Sequence, residues 1–96
     1  MSDRAALQAR LDELRAAIAA VDGELVDVLA RRIATAAEIG RVKGELGLPV
    51  MDPAREAEVV RRAAELARQQ GVDAEMVRDV VWRVMHGARG VQDGER

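Results

Sequence analysis

From about residue 4 to residue 45 the chain has no proline. Its apolar residues step by alternating threes and fours: Leu7, Leu11, Leu14, Ile18, Val21, Leu25 and Val28, resuming at Ile39, Val42 and Leu46. That spacing keeps the side chains on one stripe of an α-helix, a heptad seam of the kind that packs against another helix. It predicts one helix of ~40 residues, about 60 Å long at a rise of about 1.5 Å per residue. Gly23 and Gly40 weaken the helix locally, each by roughly 1 kcal/mol relative to alanine. Gly44 and Gly47 are where it is expected to end.

Two shorter helices follow. Asp52 is a good N-cap and Pro53 a good first helical residue, so the second helix should open there. It carries Val59, Ala63, Leu66 and Ala67 on one face and stops near Gly71. The third should start after Asp73, with Val77, Val80, Val81, Val84 and Ala88 as its apolar stripe. From about residue 90 the chain becomes a polar tail. Two short helices cannot cover a seam of this length, so the seam calls for a second chain. A two-fold antiparallel dimer is the simplest closed arrangement. The small size agrees, because 96 residues bury little surface alone. The expected fold is therefore all-α, with one long and two shorter helices in a single domain, 1–96, intertwined with a copy of itself in an antiparallel homodimer. With no Phe or Tyr and a single Trp, alanine, valine and leucine must do the packing.

Composition narrows the chemistry. Without cysteine there is no disulfide framework and no thiolate metal site. A single histidine, His86, argues against histidine metal clusters and catalytic triads, and it is read as structural, with Trp82 as a packing residue. No metal or cofactor is expected. The net charge of −2, with both signs interspersed, leaves no basic footprint for nucleic acid. No apolar run approaches the ~20 residues of a membrane span, and the polar N-terminus does not look like a signal peptide. A cytoplasmic protein acting on a small molecule is the expectation.

Several residues do not fit a purely structural account. Continuing the seam past Val28 calls for apolar residues at positions 32 and 35, where the chain has Arg32 and Thr35. A charge on a buried seam costs several kcal/mol unless paired. Arg32 is therefore either one half of a salt bridge or part of an anion site inside the bundle. Lys43 is the only lysine among 15 basic residues. It offers a compact point charge where the chain otherwise uses planar guanidinium groups. It follows Arg32 by close to three helical turns, about 16 Å along the axis, so the two lie near one face. Considered alone it reads as a surface lysine. Arg15, beside the seam, is roughly 42 Å from Lys43 along one helix. The two could share a site only across an antiparallel dimer; otherwise Arg15 is a solvated helix residue. In "PVMDPARE", residues 49–56, Asp52 is explained as a cap and Glu56 is favoured by the helix dipole. Arg55 is not, and an anionic ligand would account for it.

The pattern "LDELRAAIAAVDGELVDVLARRIATAAEIGRVKGELGLPVMDPARE", followed by "GVDAEMVRDVVWRVM", resembles the all-helical chorismate mutases over about residues 7–92. The resemblance implies an intertwined dimer with two active sites and the rearrangement of chorismate to prephenate in aromatic amino acid biosynthesis. It implies that Arg15 is contributed across the interface and that Arg32 and Lys43 hold the two substrate carboxylates. Asp52 would lie near the substrate hydroxyl, Arg55 would support the carboxylate end, and Glu56 would bind the ring hydroxyl. Gln92 would donate to the ether oxygen together with Lys43. Where the family often has a serine one turn before that glutamine, this chain has Ala88. Isochorismate-pyruvate lyases and aminodeoxychorismate mutases resemble the same pattern, and a non-catalytic helical dimerisation module would share the heptads. Asp52 and Glu56 favour a hydroxylated substrate. No separate regulatory domain is expected, and a larger partner enzyme is compatible with this reading.

Overall fold

The computed structural model describes the backbone of residues 3–92 and the side chains of residues 3–87. Regular structure among the described residues is helical throughout: α1 spans Arg4–Leu46, α2 Pro53–Gln70 and α3 Ala74–Gln92. Helix α3 continues through Val91 and Gln92, further than the polar composition of the tail suggested.

Aspartate opens each helix. Asp3 accepts from Ala5 N–H at 3.0 Å, Asp52 from Arg55 N–H at 3.1 Å, and Asp73 from Glu75 N–H at 3.0 Å. Each carboxylate satisfies a backbone donor that has no partner inside the first turn. Glycine closes α1 and α2. Gly47 and Gly71 both adopt φ +71°, the left-handed conformation glycine enters without a Cβ penalty. After α1, Leu48 N–H donates to the Lys43 carbonyl at 2.8 Å and Gly47 N–H to the Gly44 carbonyl at 3.2 Å. After α2, Val72 and Gly71 make the matching pair of bonds to Ala67 and Arg68. Both ends are Schellman motifs, which satisfy the last carbonyls of a helix as the chain turns away.

The chain divides into two compact units after Arg31. The first consists of α1 up to that residue. Its seam lies open in the single chain: Leu7 is 59% exposed, Ile18 63% and Leu25 53%. Arg10 pairs with Glu13 at 3.1 Å and the Gln8 amide donates to Asp12 at 3.2 Å. Such exposed pairs contribute only about 0.2–0.5 kcal/mol each.

The second unit holds the end of α1 together with α2 and α3. The short connection 71–73 turns the chain back so that α3 packs along α2. Among the described residues the buried side chains are Ala36, Ala64, Ala67 and Met85, mostly too small to hold the helix backbones apart. On α2 the expected Ala67 is buried and Val59 and Ala63 are half-buried, while Ala64, not expected, is buried beside them. Leu66 stays 42% exposed, and on α3 Val80 stays 51% exposed. Trp82 is 53% exposed in the single chain rather than packed away. Its ring lies 4.0 Å from that of His86, centroid to centroid, tilted by 58°. His86 is half-buried, and its Nε2 is enclosed without a hydrogen-bond partner among the described residues. Among the described residues no helix is long and apolar enough to cross a membrane.

Candidate functional site

A cavity of about 560 Å³ opens within the second unit, within the ~300–1,000 Å³ range of small-molecule sites. Three cations line it: Arg32 and Lys43 from α1, and Arg55 from α2. Two carboxylates, Asp52 and Glu56, face them. Ala36, Ile39, Val59 and Met85 supply apolar wall, with Thr35 and Val50 completing the lining.

Local sequence explains this convergence. Arg32, Ala36, Ile39 and Lys43 are spaced by four, three and four, so they stand above one another on one face of α1. The polar interruption of the seam at positions 32 and 35 faces the cavity. Asp52, Arg55 and Glu56 crowd the first turn of α2 because Asp52 caps it and Pro53 starts it. Glu56 N–H donates to the Asp52 carbonyl at 2.9 Å, which fixes the two acids relative to each other.

The individual groups differ in how they are held. Arg32 is half-buried and makes no ion pair among the described residues. Lys43 is half-buried, and its Nζ donates to the Val50 carbonyl at 2.9 Å. Arg55 Nη1 donates to Glu58 Oε1 at 3.0 Å, an exposed pair one turn along α2. That pair offers Arg55 a partner besides any ligand, though a weak one. Glu56 is half-buried at the cavity wall. The site thus carries three positive groups against two negative ones. Such a set can grip a small anion through its cations and accept a hydrogen bond from a hydroxyl through a carboxylate.

Five of the seven candidate residues, Arg32, Lys43, Asp52, Arg55 and Glu56, come together in this cavity. Arg15 belongs to the first unit, is exposed, and is not among the lining residues. Gln92 ends α3, and its side chain, like that of Ala88, lies outside the described residues. Sequence reasoning missed Met85 and Val50. Met85 follows Val77 and Val81 at steps of four, a spacing that could have added it to the α3 stripe. Val50 enters through its backbone carbonyl, which no side-chain pattern announces.

The sequence profile of the family described as chorismate mutase type II matches residues 14–93. The T-protein of Enterobacter agglomerans is 42% identical over 77 residues, which is 80% of this chain and 21% of that protein. A 4-amino-4-deoxychorismate mutase of Streptomyces venezuelae is 42% identical over 66 residues, covering 69% of this chain and 64% of that one. The chorismate mutase of Methanocaldococcus jannaschii is 31% identical over 64 residues, 67% of this chain and 65% of that one. The chain spans about a fifth of the length of the T-protein it matches.

Because Asp52 is both cap and cavity wall, two substitutions separate its roles. Asp52→Asn keeps a capping oxygen and should hold stability to within a few tenths of a kcal/mol, whereas Asp52→Ala should cost about 1 kcal/mol. Urea unfolding followed by circular dichroism checks this. Equal losses in both variants would mean that the charge, and not the cap, is what Asp52 contributes to the fold.

Proposed function

Since the chain belongs to the type II chorismate mutase family, we propose that it catalyses the rearrangement of chorismate to prephenate. The observation that carries the proposal is the cavity itself. Five charged residues picked out by their misfit, their spacing or the family pattern line one small-molecule-sized space.

The reaction is unimolecular. A C–O bond breaks as a C–C bond forms, and the substrate must first fold its side chain over its ring. A pocket accelerates such a step by holding the dianion in the reactive conformer. It gains further by aiming donors at the ether oxygen, where negative charge grows in the transition state. In this proposal Arg32 and Lys43 hold the two carboxylates, and Arg55 supports the carboxylate end. Asp52 and Glu56 face the ring hydroxyl, with Glu56 accepting its hydrogen bond. Lys43 and Gln92 donate to the ether oxygen. With Ala88 where the family often has a serine, one ligand contact is lost or is made by water.

The same reading makes residues 1–96 one functional domain, acting as an intertwined antiparallel homodimer in the cytoplasm. What supports the dimer is the open seam of α1. Burying a Leu, Ile or Val side chain is worth roughly 1.5–3 kcal/mol, and Leu7, Ile18 and Leu25 each leave half or more of that unrealised in one chain. Arg15 would then reach the partner's cavity, completing two sites per dimer. Association with a larger enzyme is compatible with this arrangement.

Incubation of the purified protein with chorismate, following its absorbance and identifying the product, tests the activity. Prephenate is expected. Turnover of 4-amino-4-deoxychorismate with chorismate left intact would move the assignment to the amino substrate, and pyruvate release from isochorismate would move it to a lyase. Lys43→Ala should lose about 10²–10³ in turnover, the usual effect of removing a preorganised donor to developing charge. Lys43→Arg should also be poor, since a planar fork does not replace a point charge at one oxygen. Near-normal turnover in Lys43→Ala would remove Lys43 from the mechanism.

Mixing checks the placement of Arg15. Arg15→Ala and Lys43→Ala homodimers should each be inactive. Dissociated and reassociated together, they should regain activity, because one site of each mixed dimer keeps both residues. Mixed dimers that form and stay inactive would place Arg15 elsewhere.

A further inference from the structure

Lys43 is tied at both ends to the segment that follows α1. Its carbonyl accepts from Leu48 N–H at 2.8 Å, and its Nζ donates to the Val50 carbonyl at 2.9 Å, seven residues downstream. The side-chain bond is part-buried, and Lys43 and Val50 both line the cavity. A lysine ammonium carries three donors on a flexible four-carbon stem, so left alone it has no fixed direction. Here one donor is committed to a backbone carbonyl. The tetrahedral geometry of the nitrogen then turns the other two away from Val50. The segment making the contact is itself constrained. Gly47 turns it with φ +71°, and Asp52 anchors its far end by capping α2.

We infer that the Val50 carbonyl is a positioning group for the Lys43 ammonium. It takes one N–H and leaves two, one for a substrate carboxylate and one for the ether oxygen. The inference rests on the proposed mutase reaction. A donor fixed before the substrate arrives needs no reorganisation as charge develops, which is where preorganised groups gain their effect. The arrangement also gives a reason for the only lysine of the chain. A planar guanidinium cannot direct one donor sideways to Val50 and two more at tetrahedral angles into the cavity. The segment between α1 and α2 thereby gains a function besides connecting two helices.

The test uses the full chain made by chemical synthesis, with Met51 replaced by its α-hydroxy acid counterpart. That change turns the Val50 carbonyl into an ester carbonyl, a weaker acceptor, and leaves every side chain in place. It also removes one N–H, so a control chain carries the ester one bond earlier, at Val50. Weakening one hydrogen bond to a charged donor predicts a fall in kcat of up to roughly tenfold, larger than any rise in KM, with the control near native. A purely structural role for the segment would lower stability and leave kcat untouched. Because Lys43 is the only lysine, lysine labelled with ¹⁵N gives a single Nζ signal. In the native chain that signal should couple through the hydrogen bond to a ¹³C-labelled Val50 carbonyl, both free and with saturating prephenate. Native kcat in the Met51 ester, or a coupling that disappears when prephenate binds, would overturn the inference while the mutase reading stands. If the native chain does not convert chorismate, both fall together.

Discussion

The constraint on which the molecule depends is the apolar seam of α1. Leucine, isoleucine and valine recur along it from Leu7 to Leu46, and in the single chain they stay open to solvent. The described core of the second unit is small: three alanines and a methionine are its buried side chains. Such a core supplies little of the burial that offsets chain entropy, which costs roughly 1–2 kcal/mol per residue for the backbone alone. The apolar surface able to close that gap lies on the seam. In the proposed dimer, oligomerisation and folding become one problem, as is usual for chains that bury too little surface by themselves.

The same helix gives the site its charge. Where the seam would continue, α1 carries Arg32 and Thr35, and two turns beyond Thr35 it carries Lys43. Helical spacing places these near one face of α1, and that face lines the cavity together with residues of α2 and α3. The first turn of α2 brings Asp52, Arg55 and Glu56 to the same cavity. The capping chemistry that starts α2 and the chemistry of the cavity wall therefore use the same residues. The backbone joining the two helices adds a carbonyl, that of Val50, to hold Lys43.

Much of this was legible in the order of residues. Proline-free heptads announce α1, and the aspartate-to-glycine frames announce α2 with its cap at Asp52 and its stop at Gly71. Arg32 was legible as a break in a pattern, and Lys43 as a lone departure from arginine. The family resemblance named seven residues, of which Arg32, Lys43, Asp52, Arg55 and Glu56 line the cavity. Other features were not legible, for physical reasons. The Val50 carbonyl is an acceptor every residue possesses, so only the path of the chain selects it. Leu66 and Val80 were placed inward by helical spacing and Trp82 as a packing residue, yet each lies at the edge of its helix's inward face and stays exposed in the single chain. Glu58 as the partner of Arg55 is one of several i,i+3 possibilities on a charged helix, and only the geometry chooses it.

The account stands or falls on whether the seam of α1 closes against a second copy. Sedimentation equilibrium at micromolar concentration, with circular dichroism on the same sample, addresses this directly. The account predicts a helical species at twice the 10.4 kDa chain mass, with no folded monomer remaining as the dimer is diluted apart. A well-folded, helical species at 10.4 kDa would contradict it.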